Sequence, residues 1–203
     1  MIEVEIKVRI SDPEGIRIKF KNQGGVYKLS LEHEDTYFNM PEGLRDFKET
    51  DEALRLRKSI EFNKYDESIK KKTNYYLTYK GKKIDNSTKT REEIDVKVED
   101  FEKVRKILRL LGFQEIFTVK KERELYEFVY NTYHIEALID YIPILKQYFI
   151  EVEYLLESSE NLERSRDFLF EFLKLFEIKK EDSIRQSYLE LINDKLKGKL
   201  RNN

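Results

Sequence analysis

Ile2-Glu3-Val4-Glu5-Ile6-Lys7-Val8-Arg9-Ile10 alternates without a break: apolar side chains at the even positions, charged ones at the odd positions. A β-strand turns successive side chains to opposite faces, so a period of two over nine residues predicts a strand with one apolar and one charged face. The same habit recurs downstream. Residues 53–58 set Leu54 and Leu56 against Arg55 and Arg57, and residues 75–80 set Leu77 and Tyr79 against Thr78 and Lys80. Residues 88–98 set Ile94 and Val96 against Arg91, Glu93 and Asp95. Residues 35–38 read as a short strand, and residues 118–130, 134–141 and 148–155 as three more. The polar stretches 59–74 and 81–87 between them read as loops.

Helical signals interrupt and follow these strands. Ser11-Asp12-Pro13 and Gly24-Gly25 bracket a helix around Ile16 and Phe20. Over residues 100–111, Phe101, Val104, Ile107, Leu108 and Leu111 form one stripe, and Gly112 ends it. Residues 162–176 and 182–196 carry dense apolar faces at helical spacing. About eight strands with helices among and after them give an α+β fold. The length of 203 residues favours one domain over 1–203, with barrel strands in 1–155 and C-terminal helices in 156–203.

Composition narrows the function classes. The chain has no cysteine, which excludes disulfides and thiolate metal sites and fits a reducing, cytoplasmic setting. No stretch approaches the roughly 18 apolar residues of a spanning helix, and charges interrupt the start where a signal peptide needs an apolar run. Asp, Glu, Lys and Arg make up 39% of the chain, yet 39 basic and 40 acidic residues leave a formal net charge of −1. That balance argues against a nucleic-acid partner, which calls for a basic surplus. No membrane partner is expected, and the oligomeric state is not legible.

In an ordinary half-buried sheet the charged face is the solvated one. Here the pattern repeats on six strands or more, the apolar faces have amphipathic helices to cover them, and like charges recur two residues apart on one face. A closed antiparallel β-barrel of eight strands joins these observations, because closure turns every charged face into a shared lumen. That lumen collects Lys7, Arg9, Arg55, Arg57, Lys80, Arg91, Lys121 and Arg123. It also collects Glu3, Glu5, Glu93, Glu136, Asp140, Glu151 and Glu153. Isolated buried ions cost several kcal/mol each, so such a space must hold water or a highly charged ligand. An elongated polyanion with a divalent cation satisfies both inventories: Arg and Lys bind phosphate oxygens, and carboxylates hold Mg²⁺ or Mn²⁺.

Glu3-Val4-Glu5-Ile6-Lys7 resembles the opening signature of the CYTH superfamily, the triphosphate tunnel metalloenzymes. Matches follow in order: Asp35-Thr36-Tyr37-Phe38, Leu54-Arg55-Leu56-Arg57, Thr78-Tyr79-Lys80-Gly81, Arg91-Glu92-Glu93 and Lys121-Glu122-Arg123, then Asp140 and Glu151-Val152-Glu153. Ser187-Tyr188-Leu189-Glu190-Leu191 is similar to the C-terminal helix of the CyaB-type members, and Ile142-Pro143-Ile144-Leu145-Lys146 departs from the family's usual loop. The resemblance implies a tunnel in which Lys7, Arg55, Arg57, Lys80, Arg91, Lys121 and Arg123, with Arg9 at the strand end, bind phosphate. It implies metal ligation by Glu3, Glu5, Asp140, Glu151 and Glu153, with Glu93 and Glu136 as further ligands, and gives Lys7 the orienting of a hydrolytic water. The implied substrate is a small-molecule triphosphate: inorganic triphosphate, ATP or thiamine triphosphate. Hydrolysis is the leading reaction, a class IV adenylyl cyclase the alternative, and a noncatalytic polyphosphate-binding module the third reading.

Other features read as structural. His33 and His134, the only histidines, are too few for a histidine metal cluster. The Tyr and Phe residues suit barrel exterior and helix core, and Lys70-Lys71-Lys72 a solvated loop.

Overall fold

A computed structural model describes residues 2–156 and 162–201. Its strands are β1 (Ile2–Ile10), β2 (Val26–Asn39), β3 (Ala53–Phe62), β4 (Lys72–Lys80), β5 (Arg91–Val98), β6 (Gln114–Tyr130), β7 (Tyr133–Ile142) and β8 (Gln147–Leu156). Its helices are α1 (Pro13–Asn22), α2 (Phe101–Leu110), α3 (Leu162–Lys174) and α4 (Tyr188–Arg201). The strands close into an antiparallel barrel in the order β1-β5-β4-β3-β2-β6-β7-β8. β1 pairs with β8 along its whole length, from Ile2 opposite Leu156 to Ile10 opposite Tyr148. Closure on the other side is narrow, with Ile2 opposite Glu92 and Glu3 opposite Arg91.

The alternation in β1 points its charges inward. Val4, Ile6, Val8 and Ile10 join Ile135, Ala137, Ile139, Ile150 and Val152 in one buried cluster on the outside of the barrel. Ile16 and Phe20 of α1 and Leu169, Phe170, Phe172 and Leu173 of α3 cover it. Burying a large apolar side chain stabilises by about 1.5–3 kcal/mol, so this shared cover is what holds the β1, β6, β7 and β8 wall in place. α2 covers Phe38 and Leu56 of the opposite wall through Leu108, helped by Phe101 and Val104. The Asp12 carboxylate caps α1 through the Gly15 N–H, and Asp100 caps α2 through the Lys103 N–H. Gly112, at φ +88°, turns the chain off α2, a conformation that a Cβ disfavours. Among the described residues no helix is long and apolar enough to cross a membrane.

Several boundaries differ from the sequence reading. The short strand at 35–38 is the end of a fourteen-residue β2. Tyr27, Leu29 and Leu31 already alternate with polar neighbours, but a register shift between Tyr27 and Leu29 changes which face they take. β3 and β4 extend into the stretch read as a loop, which shrinks to residues 63–71. β5 begins at Arg91 rather than at 88. The Pro143 loop is a tight turn, with the Leu145 N–H donating to the Ile142 carbonyl at 3.0 Å.

The largest difference lies at 183–187, where a helix was expected. Those residues run alongside β1 instead: Ser183 bridges Val8, and the Ile184 N–H donates to the Lys7 carbonyl at 2.7 Å. Backbone bonds to the open edge of β1 replace helical ones there. Helix α4 starts only after Ser187, whose N–H donates to the Glu190 carboxylate at 2.6 Å while its hydroxyl accepts from the Glu190 N–H at 3.2 Å. Tyr188 and Ile192 pack against Val119, Ile142 and Phe149, which face the lumen, so the first turns of α4 fill one end of the barrel.

Candidate active site

The lumen is a cavity of about 530 Å³. Eleven side chains that the sequence reading sent inward line it: Glu3, Glu5, Arg55, Arg57, Lys80, Arg91, Glu93, Lys121, Arg123, Glu151 and Glu153. Glu3 and Glu5 on β1 and Glu153 on β8 bring carboxylate oxygens within 4.8 Å of one another. In the ring order, β1 and β8 are neighbours and β3, with Arg55 and Arg57, lies across the barrel from them.

On the basic wall, Arg57 holds Asp35 through two bonds, Nε to Oδ1 at 2.6 Å and Nη2 to Oδ2 at 2.8 Å. Burial alone would raise the Asp35 carboxyl, but the Arg57 and Arg55 guanidiniums outweigh it and hold it well below the usual range. Arg55 donates to the Thr78 hydroxyl at 3.0 Å, while its buried Nε has no hydrogen-bond partner among the described residues. A buried donor without an acceptor is costly. Lys121 is pushed down to about 8 by burial and by the nearby Arg123 and Arg57 charges. Lys80 pairs with Glu93, and Lys83 reaches Asp51 at 2.6 Å.

On the acidic wall, burial and then Glu151 raise Glu5 to about 8, and burial and then Glu3 raise Glu153 well above its ordinary value. Among the described residues Glu3 makes no ion pair, and the nearest cation to Glu153 is Arg123 at 3.8 Å. Glu5 also pairs with Lys89, which leaves the three crowded carboxylates one close cation between them, and such a cluster fits a hard divalent cation, which takes oxygen ligands. Glu3, Glu5 and Glu153 would hold it. The other expected ligands are already paired with cations or lie outside the cavity. Glu93 is taken by Lys80, Glu151 by Lys89 and Arg123, and Asp140 by Arg123 at 2.6 and 2.7 Å together with the Tyr188 hydroxyl at 2.8 Å. Glu136 is exposed and does not line the cavity.

Two expected phosphate ligands are also displaced. Arg9 is exposed and borders a separate small cavity with Phe149 and Lys195. Lys7 is fully buried, donates to the Gln186 carbonyl, and sits 4.1 Å from the centre of the Tyr188 ring, which lines the cavity in its place. Burial, then the Lys89 charge, lowers Lys7 to about 7.

Lys83, Lys89, Asp35, Asp51 and Tyr188 belong to the site without having been singled out as ligands. For Lys89 the signal was present: it shares the odd parity of Arg91, Glu93 and Asp95. Lys83 lies on a stretch with no period to read.

The family model of the CYTH domain matches residues 1–188. The chain belongs to the CYTH family. This CYTH protein is 42% identical over 191 residues to a Methanocaldococcus jannaschii protein provisionally named an adenylate cyclase, covering 94% of this chain and 98% of that one. The solved structure of PH1819 from Pyrococcus horikoshii OT3 matches with a TM-score of 0.80 at 36% identity, over 95% of this chain and 99% of that one. A Hippeastrum protein, provisionally named an adenylyl cyclase and described as revealing a dominant triphosphatase activity, shares the fold at a TM-score of 0.60 and 19% identity, over 95% of each chain.

Proposed function

We propose that this chain is a Mg²⁺- or Mn²⁺-dependent hydrolase of inorganic or organic triphosphates, with the substrate held inside the barrel. The observation that carries the reading is the division of the lumen: clustered carboxylates on β1 and β8, and across the barrel the arginines of β3. A short polyanion that chelates a cation spans such a site, with the cation on the acidic wall and phosphate oxygens on the basic one. Phosphoryl transfer asks for alignment and for neutralisation of charge on the phosphate oxygens more than for covalent participation. A bound divalent cation would supply part of that neutralisation. Arg55, Arg57, Lys80, Arg91 and Lys121 would bind and orient the oxygens, and Lys7 would add its charge from behind Tyr188. Water would attack the terminal phosphorus, releasing orthophosphate.

The second reading is a class IV adenylyl cyclase, in which the ribose 3′-hydroxyl attacks the α-phosphorus and pyrophosphate leaves. The observation in its favour is the apolar part of the cavity lining, Tyr37, Phe38, Phe47, Ile116 and Leu189, against which a base could rest. The name of the Methanocaldococcus jannaschii relative points the same way. Product analysis separates the readings. Incubation with Mg²⁺ or Mn²⁺ and either inorganic triphosphate or ATP should release orthophosphate. Cyclic AMP with pyrophosphate would make the chain a cyclase, and binding without turnover would leave a noncatalytic module.

A further inference from the structure

The connector between β4 and β5 is built to hold one side chain, Lys89. Asp85 accepts from the Ser87 N–H at 2.7 Å, the Thr88 N–H at 2.8 Å and both their hydroxyls at 2.9 Å. Arg166 of α3 pairs with the same carboxylate at 3.1 Å, and Arg185 donates to the Asp85 carbonyl at 2.8 Å. The Lys89 N–H then donates to the Glu5 carbonyl at 3.0 Å, continuing the narrow β1–β5 seam. Its ammonium is thereby delivered to the acidic wall, where it donates to the Glu5 carboxylate and to Glu151 Oε1 at 3.0 Å.

The neighbouring carboxylates are occupied too. Glu151 offers its other oxygen to Arg123, and both oxygens of Asp140 accept from the same guanidinium. The Glu3, Glu5 and Glu153 cluster is where carboxylate oxygens crowd together beyond the single bond that Glu5 accepts from Lys89. A two-cation centre would set its ions about 3.5–4 Å apart, and the seat beside that cluster, between Glu5 and Glu151, already holds a positive charge.

We propose that Lys89 is a built-in counter-ion: its ammonium fills the place of a second divalent cation, so the lumen takes one such ion, at Glu3, Glu5 and Glu153. This rests on reading the acid cluster as a cation site. The consequence is that Lys89 is a positioning residue, orienting Glu5 toward the ion while repelling a second one.

Counting bound Mn²⁺ by electron paramagnetic resonance tests this without any turnover. The unmodified protein should bind one ion, with no second site of comparable affinity. Lys89→Met, which removes the charge at similar volume, should bind two, the second at least about tenfold more tightly than any second ion on the unmodified protein. Lys89→Arg should stay at one. Two ions of similar affinity on the unmodified protein would overturn the proposal, as would a single ion on a Lys89→Met protein with native circular dichroism. If Lys89→Met fails to fold, Lys89→Gln, which also removes the charge, takes its place with the same two outcomes. No bound Mn²⁺ at all would instead overturn the cation-site reading on which the proposal stands.

Discussion

Replacing the buried Glu5 carboxyl by an amide should stabilise the ion-free protein and remove its response to the ion. Glu5 is 4% exposed, and its carboxyl is raised from 4.5 to about 8 by burial first and Glu151 second, with Lys89 pulling the other way. A carboxyl that holds its proton more tightly when folded destabilises the fold above its unfolded pKa. Stability therefore grows as pH falls from about 8 toward 4.5. At about 1.4 kcal/mol for each pH unit between 4.5 and 7, the cost at pH 7 is roughly 3 kcal/mol. Glutamine keeps the shape and needs no proton, but it weakens the bond from Lys89 by about 1 kcal/mol. Glu5→Gln should thus gain about 2 kcal/mol at pH 7 in EDTA, a rise in Tm of about 4–8 °C for a chain of this size. Near pH 5 the gain should vanish. Calorimetry at both pH values, with EDTA and with Mn²⁺, makes the comparison. A variant that melts below the unmodified protein in EDTA at pH 7, yet keeps its Mn²⁺-induced rise, would refute the reasoning.

Arg123→Met leaves Asp140 and Glu151 without the guanidinium that joins them, and should lower the unfolding free energy in urea by about 3–5 kcal/mol. A loss below about 1 kcal/mol would show that these carboxylates find other partners. His33 bonds Ser59 at 3.0 Å, and burial, then Arg57 and Lys121, holds it well below 6.5. It stays neutral in the fold while the unfolded chain takes up a proton, so its contribution is lost as pH falls below 6.5, by up to about 1.4 kcal/mol per pH unit. His33→Gln should flatten the acid limb of a stability-versus-pH curve by that slope, and an unchanged limb would contradict it.

The alternation in residues 2–10 was enough to predict β1, and its repetition enough to predict a barrel, because a strand's period of two is local. That the charges point inward was legible only from their recurrence, since any single strand would read as solvated outside. Partnerships were not legible. Lys89 meets Glu5 across 84 residues of sequence and Arg123 meets Glu151 across 28, so which carboxylates are left for a cation depends on the ring order of strands. Residues 183–187 were misread because an open edge of β1 competes for their backbone, which no helical period records. Tyr188 was quoted as part of a helix, but that its ring would cover Lys7 follows only from where α4 enters the barrel.

The central claim is that the barrel holds a triphosphate through a cation on the β1 and β8 wall and arginines on β3. Titration calorimetry with inorganic triphosphate, run in Mn²⁺ and again in EDTA, tests it most directly. The account predicts one site per chain that needs Mn²⁺ and is lost in both Glu153→Gln and Arg57→Met. Equal binding in EDTA, or binding that survives both substitutions, would contradict it.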